Sequence, residues 1–321
     1  MPENKRYVTV LMPAYNAGPY IHEAIESILK QTYTDFEFLI INDGSKDETL
    51  SIIKRYNDPR IKLIDQNNKG LIASLNEGIM MSRGELIARM DADDVCLPDR
   101  LQLQVDFLRD NPQYIMVGGE ANVMDKDGNY LMHLTTAGHS HEEIQEVIDF
   151  KCPFIHPCVT FYKQSAIQAG LYPKNAWTFE DHLFWKKLME TGKVCNTSDV
   201  VLDVRFNPES VTIDEKWRGK EFLEIRQRSI HQGYVTEEDA KELKAIISGQ
   251  NLEHYKQASY YSMIAKKYLW NNPDARLARI NLRKAIEYFP RNPNSYVLYL
   301  FSYLPSPVRM NFYKLFKKKP K

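Results

Sequence analysis

The sequence predicts an α/β protein: a mostly parallel sheet with helices on both faces, followed by a helical appendage. Three observations predict it. Over about the first 90 residues, short apolar runs rich in β-branched residues alternate with stretches of helical period. Each apolar run ends in turn-forming or acidic residues, as strands do where they open into loops. After Asn207 the composition shifts to long, polar, amphipathic helical stretches. The expected division is a sheet domain over residues 1–215 and a helical region with a basic, aromatic tail over 216–321.

The elements follow in order. Residues 7–12 form a buried strand that Pro13 stops. Residues 20–29 place Ile21, Ala24, Ile25, Ile28 and Leu29 at helical spacing, with Glu23 and Glu26 on another face. A second strand, 36–41, is closed by Asn42-Asp43-Gly44-Ser45. A helix at 50–56, a strand at 61–64, a helix at 71–81 and a strand at 85–90 complete the alternation. Sheets of this kind bind ligands where the carboxyl ends of their strands open into loops. Those loops hold Tyr15-Asn16, Asp43 and Asp91-Ala92-Asp93-Asp94, which therefore converge on one crevice. Further helices are expected at 220–231, 237–247, 252–269 and 274–289, with Thr236 capping the second and Gly249 ending it. Residues 258–290 resemble a single tetratricopeptide-type helix pair, and one pair without a second copy reads as an appendage rather than an array.

Composition narrows the function. The chain of 321 residues carries 42 Lys and Arg against 42 Asp and Glu, so no overall field draws it to nucleic acid. Cys96, Cys152, Cys158 and Cys195 show no disulfide or zinc-ribbon spacing and read as reduced thiols of a cytosolic protein. Cys152, His156 and Cys158 lie close together, but no second ligand pair follows them. The N-terminal apolar run is too short for a signal peptide, and no stretch is long enough to span a bilayer.

The strongest chemical signal is the apolar strand that runs from Glu85 into Asp91, Asp93 and Asp94. In an extended chain, residues two apart share a side, so Asp91 and Asp93 point together and Asp94 points away. Paired carboxylates repel unless a cation or hydrogen-bond donors neutralise them. A hard divalent ion does so, and Mg²⁺-type sites use one or two carboxylates and let substrate phosphates complete the shell. The alternative is a capped turn of solvated acids.

Taken together, these segments resemble a family 2 glycosyltransferase of the bacterial polysaccharide type, with the GT-A fold. The resemblance runs through Val8-Thr9-Val10-Leu11-Met12-Pro13-Ala14-Tyr15-Asn16, then the strand and turn at 36–47, then Ala88-Arg89-Met90-Asp91-Ala92-Asp93-Asp94 and its continuation Pro98-Asp99-Arg100-Leu101-Gln102-Leu103-Gln104. Phe179-Glu180-Asp181 stands where that family has its Glu-Asp motif. The resemblance covers roughly the first two thirds of the chain and implies an inverting sugar transfer from a nucleotide diphosphate donor, UDP by preference, to a hydroxyl of a glycan or lipid-linked acceptor. It implies Asp43 on the uracil ring, Asp91 on the ribose, Asp93 on a divalent cation (Mn²⁺ or Mg²⁺), and Pro13, Ala14 and Tyr15 lining the nucleotide pocket. Asn42 departs from the aspartate usual there, which leaves Asp43 as the base contact. Asp181, near a helix start where an anion is favoured, is the implied general base; the alternative for Glu180-Asp181 is a helix-capping pair. Asn207 stands where many relatives have histidine, and Arg205 is either a phosphate contact or a structural ion-pair partner. His156, before Pro157, is either an acceptor contact or structural.

Residues 305–321 hold six Lys or Arg and no acid, interleaved with Phe312, Tyr313 and Phe316. Such a tail suits the interface of an anionic bilayer, or else is a solvated basic tail. With nucleotide-sugar substrates and reduced thiols, the expected location is the cytoplasm, peripheral on the inner face of the plasma membrane. Two rival functions differ in their marks. A sugar nucleotidyltransferase needs a Gly-rich, basic phosphate loop, whereas Pro13–Pro19 has one glycine and no Lys or Arg. A non-catalytic nucleotide-sugar-binding or scaffolding protein would lack Asp93 or Asp181, and both are present.

Overall fold

The structure is a computed structural model that describes residues 8–209, 218–250 and 253–317. Within the described residues the chain divides into two compact units. One is drawn from Met1–Ala121, Leu134–Val204 and Glu221–Lys244, the other from Asn122–His133, Arg205–Lys220 and Ala245–Lys321.

The first unit begins with strict alternation. Strands β1 (Val8–Ala14), β2 (Phe36–Asp43), β3 (Ile61–Gln66) and β4 (Leu86–Arg89) are separated by helices α1 (Ile21–Leu29), α2 (Thr49–Ile53) and α3 (Leu71–Met81). These four strands pair in parallel in the order β3-β2-β1-β4. The sheet continues with β8 (Thr160–Tyr162) antiparallel to β4, β6 (Tyr114–Met124) antiparallel to β8, then β9 (Lys193–Arg205) and, antiparallel to it, the short β5 (Val95–Cys96). Helix α4 (Arg100–Asp110) follows β5, α5 (His141–Val147) and α6 (Lys163–Gln168) flank β8, and α7 (Glu180–Leu188) precedes β9.

Period-two alternation sends successive side chains to opposite faces of the sheet, and both faces are apolar. Val8, Val10 and Met12 of β1, with Phe36, Phe38 and Ile40 of β2, pack under α1 and α4. Leu11, Leu39 and Ile41 face the other way, against Ile72, Leu75 and Ile79 of α3 and Phe184, Trp185 and Leu188 of α7. Gly78 of α3 is needed for that second contact, because a Cβ there would lie 2.3 Å from Leu11 Cδ1. A buried polar latch sets the entry to β4. Thr9 Oγ1 donates to Glu37 Oε2 (2.8 Å), and the amides of Arg83 and Gly84 donate to Glu37 and Thr9 (both 2.9 Å).

After β9 the first unit gains α8 (Lys220–Gln232) and the start of α9 (Glu237–Gly249), whose N-terminus is capped as expected by Thr236, with Oγ1 accepting from Asp239 N at 3.1 Å. The second unit holds β7 (Tyr130–Leu134), which pairs with β6, and the helices α10 (Glu253–Trp270), α11 (Ala275–Tyr288), α12 (Pro293–Phe301) and α13 (Ser306–Lys317). The expected helix pair is α10 against α11, buried through Ala258, Ala265, Ala278 and Ala285, with Tyr261 stacked on Tyr288. Two aromatics of the basic tail meet rings of neighbouring helices: Tyr313 stacks on Trp270 (5.1 Å), and Phe312, itself 44% exposed, meets Phe301 edge-on. Lys318, Lys319 and Lys321 lie outside the described residues.

Among the described residues no helix is long and apolar enough to cross a membrane.

Candidate active site

The carboxyl ends of β1, β2 and β4 carry the polar groups of the first unit. At the end of β1, Pro13 and Ala14 are buried and Tyr15 is half exposed. The next residue, Asn16, takes a left-handed φ of 50°, a conformation that asparagine tolerates. That turn is clasped to the loop after β2. Asn16 N donates to Ser45 Oγ (3.0 Å), Lys46 N donates to Asn16 Oδ1 (2.9 Å), Ala17 N to Thr49 Oγ1 (2.8 Å) and Gly18 N to Asp47 Oδ2 (2.9 Å).

Asp43, the last residue of β2, is buried and binds the loop after β3. Its Oδ1 accepts from Gln66 Nε2 and Lys69 N (both 2.9 Å), and its Oδ2 accepts from Gly70 N (2.8 Å). Asn42 points the other way and donates to Asp65 Oδ1 at 2.6 Å.

The acidic cluster departs from the strand-alternation argument. Strand β4 ends at Arg89, so residues 91–94 form a turn rather than an extended run. Asp94 consequently does not point away. Asp91, Asp93 and Asp94 each bring a carboxylate oxygen within 4.8 Å of the others, so three acids, not two, can face one ion. Three hard oxygen donors at that spacing fit a divalent cation. Among the described residues this is the one grouping of metal-ligating side chains; Cys152, His156 and Cys158 form none.

Arg89 is the cation that composition left unremarked. It closes an otherwise apolar strand, is 2% exposed, and pairs with Asp91. Helix α4 braces this strand end. Arg100 Nη2 donates to the Arg89 and Val159 carbonyls (2.7 and 3.1 Å), and Gln104 Nε2 donates to the Cys158 carbonyl (2.7 Å) while its Oε1 accepts from Thr160 Oγ1 (2.6 Å). The segment 98–104 thus serves by holding β4 and β8 at the site.

Glu180 and Asp181 open α7. Thr178, two residues earlier, has φ 73°, a strained angle for a β-branched residue that turns the chain sharply into the helix. Neither acid is the cap residue, which is Phe179 and makes no side-chain cap bond. Asp181 Oδ1 accepts from His182 N (2.6 Å), and Cys152 Sγ lies 3.7 Å from Asp181 Oδ2. Burial, with the neighbouring Asp181 charge second, pushes Glu180 up to about 7 against its backbone hydrogen bonds and the field of Arg89. Burial also raises Asp181, against its bond from His182 N and the fields of His182 and Arg89. The field of one buried guanidinium therefore reaches both the cluster at Asp91 and the acid pair on α7.

His156 sits on a 3₁₀ turn (His156–Cys158) and shares a 3.0 Å hydrogen bond with the Tyr172 hydroxyl. Burial, with Arg89 second, holds its ring well below the ordinary histidine range, so it is neutral. Asn76 of α3 fixes Tyr172 by bonding both its amide and its carbonyl (2.9 and 2.8 Å). Arg205 and Asn207 belong to the second unit. There Arg205 Nη1 donates to the Lys126 carbonyl at 3.4 Å, and Asn207 Oδ1 accepts from Glu209 N at 2.8 Å.

Of the residues singled out from sequence, Pro13, Ala14, Tyr15, Asp43, Asp91, Asp93, His156, Glu180 and Asp181 all fall in the first unit. No role was given to Arg89 or Tyr172, Asp94 was expected to point away, and Cys152 was weighed only as a metal ligand. A charge closing an apolar strand was the available signal for Arg89; Cys152 and Tyr172 carried none.

Residues 9–171 match the family model described as glycosyl transferase family 2. The amylovoran biosynthesis glycosyltransferase AmsE of Erwinia amylovora is 30% identical over 215 residues, 65% of this chain and 80% of that protein. Among solved structures, residues 1–349 of S. aureus TarS in complex with UDP-GlcNAc align with a TM-score of 0.54 at 16% identity, over 91% of each chain. The mannosyltransferase PcManGT of Pyrobaculum calidifontis, in complex with GDP-Man and Mn²⁺, aligns with a TM-score of 0.55 at 17% identity, over 99% of this chain and 89% of that one.

Proposed function

The chain belongs to glycosyl transferase family 2 and has the GT-A fold, and from that premise we propose that it is an inverting, metal-assisted transferase moving a sugar from a nucleotide diphosphate, UDP by preference, to a hydroxyl of a glycan or lipid-linked acceptor in bacterial polysaccharide assembly. The observation that carries the reading is the pair of the buried Glu180 and the half-buried Asp181, held in the same unit as the three-carboxylate turn and within the field of Arg89. A sugar hydroxyl is a weak nucleophile, and a carboxylate that accepts its proton during attack on the anomeric carbon supplies the missing driving force. Asp181 is assigned that role. One displacement inverts the anomeric centre.

Asp93, with Asp94 and Asp91 beside it, would hold the divalent cation (Mn²⁺ or Mg²⁺). When bound, such an ion offsets the charge that grows on a departing diphosphate. Asp91 is proposed for the ribose, Asp43 for the uracil ring, and Pro13, Ala14 and Tyr15 for the pocket wall. The neutral His156 is proposed for the acceptor side, and Glu180 tunes Asp181. Nucleotide-sugar chemistry sets the reaction on the cytoplasmic face, and the basic tail, residues 305–321, is proposed to meet an anionic membrane surface.

Asp181→Asn tests the reading. It keeps size and hydrogen-bonding capacity and removes the basic oxygen. Turnover at saturating donor and acceptor should fall by about 10²–10⁴, while UDP affinity, followed by calorimetry, stays near wild type. Transfer within a few fold of wild type would remove Asp181 from the role of base.

A further inference from the structure

Helix α12 and the turn that follows it present an aliphatic and aromatic ridge to solvent. Val297, Leu300 and Leu304 recur at a spacing of three and four residues and are 64%, 70% and 39% exposed, with Tyr303 beside them at 60%. The opposite side of the same stretch is the packed one, where Ser295 and Ser302 are buried. A ridge of this kind is uncommon on a protein surface that meets only water.

Cations border it by direct contact. Arg279 and Arg283 stand one turn apart on α11. Arg283 Nε donates to the Tyr299 hydroxyl (2.9 Å), and the Arg279 guanidinium lies 4.7 Å from the centre of the Tyr303 ring. The two tyrosines are themselves joined, hydroxyl to hydroxyl, at 3.2 Å. The wider segment has the same sign: residues 275–321 contain eleven Lys or Arg and a single acid, Glu287, in a chain whose total charge is zero. A second copy of this surface would be repelled by that charge. A negatively charged sheet of headgroups over hydrocarbon would not: tyrosines at the boundary, aliphatic side chains below it and cations at headgroup level is the arrangement such an interface selects.

We propose that the α12 ridge, bordered by Arg279 and Arg283, is a docking surface for an anionic lipid bilayer, with Val297, Leu300 and Leu304 entering the acyl boundary. This deepens the membrane reading given above for residues 305–321, and rests on it, but moves the apolar anchor out of the terminal segment and onto α12. Each basic residue near an anionic leaflet strengthens binding about fivefold, so the charges supply attraction and the ridge supplies depth.

The test is co-sedimentation of the full chain with vesicles of phosphatidylcholine alone, and of equal parts phosphatidylcholine and phosphatidylglycerol. Three proteins are compared: wild type, the ridge variant Val297→Glu with Leu300→Glu, and the terminal variant Lys318→Glu, Lys319→Glu, Lys321→Glu. Because both ridge side chains are largely exposed, the ridge variant should keep its melting temperature and UDP affinity; Val297→Ser with Leu300→Ser repeats the measurement without added charge. The expected result is pelleting of wild type with the mixed vesicles only, and at least a tenfold weakening in both ridge variants. If the ridge variants pellet like wild type while the terminal variant does not, the tail reading stands and the ridge is overturned. If wild type ignores phosphatidylglycerol, both fail. A wild-type dimer that the ridge substitutions dissociate, with vesicle binding unchanged, would make the ridge a contact between copies and overturn the proposal.

Discussion

Burial raises the carboxyls of both Glu180 and Asp181, so each resists ionisation, and this has two consequences that differ in sign. For catalysis the base, Asp181, must be deprotonated, and burial raises its carboxyl, so kcat/KM should climb through an acidic limb above the ordinary carboxylate range. Glu180→Gln, which removes the adjacent charge, should move that limb to lower pH; a limb that stays in place would mean Glu180 does not act on Asp181. For stability, a carboxyl whose folded pKa is raised holds its proton more tightly folded than unfolded. Stability is therefore lost, not gained, as pH rises from about 4.5 to about 7. Urea midpoints across that window should fall in wild type and fall less in Glu180→Gln. Asp91 and Asp93 were legible in the sequence because carboxylates at the end of an apolar run are conspicuous, whereas Glu180 and Asp181 were reached through the family resemblance. Asp94 was misplaced because alternation was extended past Arg89, where the strand stops and the turn begins. Cys152 reaches Asp181 across a sequence distance of 29 residues, and no local pattern carries such a contact.

At the scale of elements, the contact of α3 with β1 offers a prediction whose sign decides it. In an exposed helix interior, replacing glycine by alanine stabilises by about 1 kcal/mol. At Gly78 the new methyl would meet Leu11 in a filled core, and overpacking there costs about 1–3 kcal/mol. Gly78→Ala should thus lower stability in urea, and its cost should shrink in a Leu11→Ala background, because the two sites share the space. A stabilised Gly78→Ala would show that α3 can move off the sheet. Periodicity delivers β1 to β4 and the helices between them, since those signals are local. It says little about β6 and β9. Gly118-Gly119-Glu120 interrupts one, and Asn196-Thr197-Ser198-Asp199 the other, so neither shows a clean apolar stripe, and their place in the sheet is fixed by distant partners.

At the scale of the whole molecule, composition divides the chain once, at residue 215, whereas the compact units interleave: Glu221–Lys244 clusters with the sheet, and Asn122–His133 with the C-terminal helices. Composition reports how polar a stretch is, not which neighbour it covers, so the border moves by a helix and a half. A ligand of the first unit should register as stabilisation of the intact chain. UDP with Mn²⁺ at about a hundred times its Kd would add about 2.7 kcal/mol and raise Tm. Chelator, or Asp93→Asn, should abolish that rise, and an equal shift without metal would exclude Asp93 as an ion ligand. The hydrogen bonds between the loops after β1 and β2 bear on how fast such a ligand can enter. The amides of Asn16, Ala17, Gly18 and Lys46 are all engaged by side chains across the gap, so this rim of the crevice is assembled before anything arrives. Deuterium should therefore enter these four amides slowly in the nucleotide-free protein, and donor association should run at the ordinary docking rate of about 10⁵–10⁷ M⁻¹s⁻¹, with no lag while a loop finds its shape.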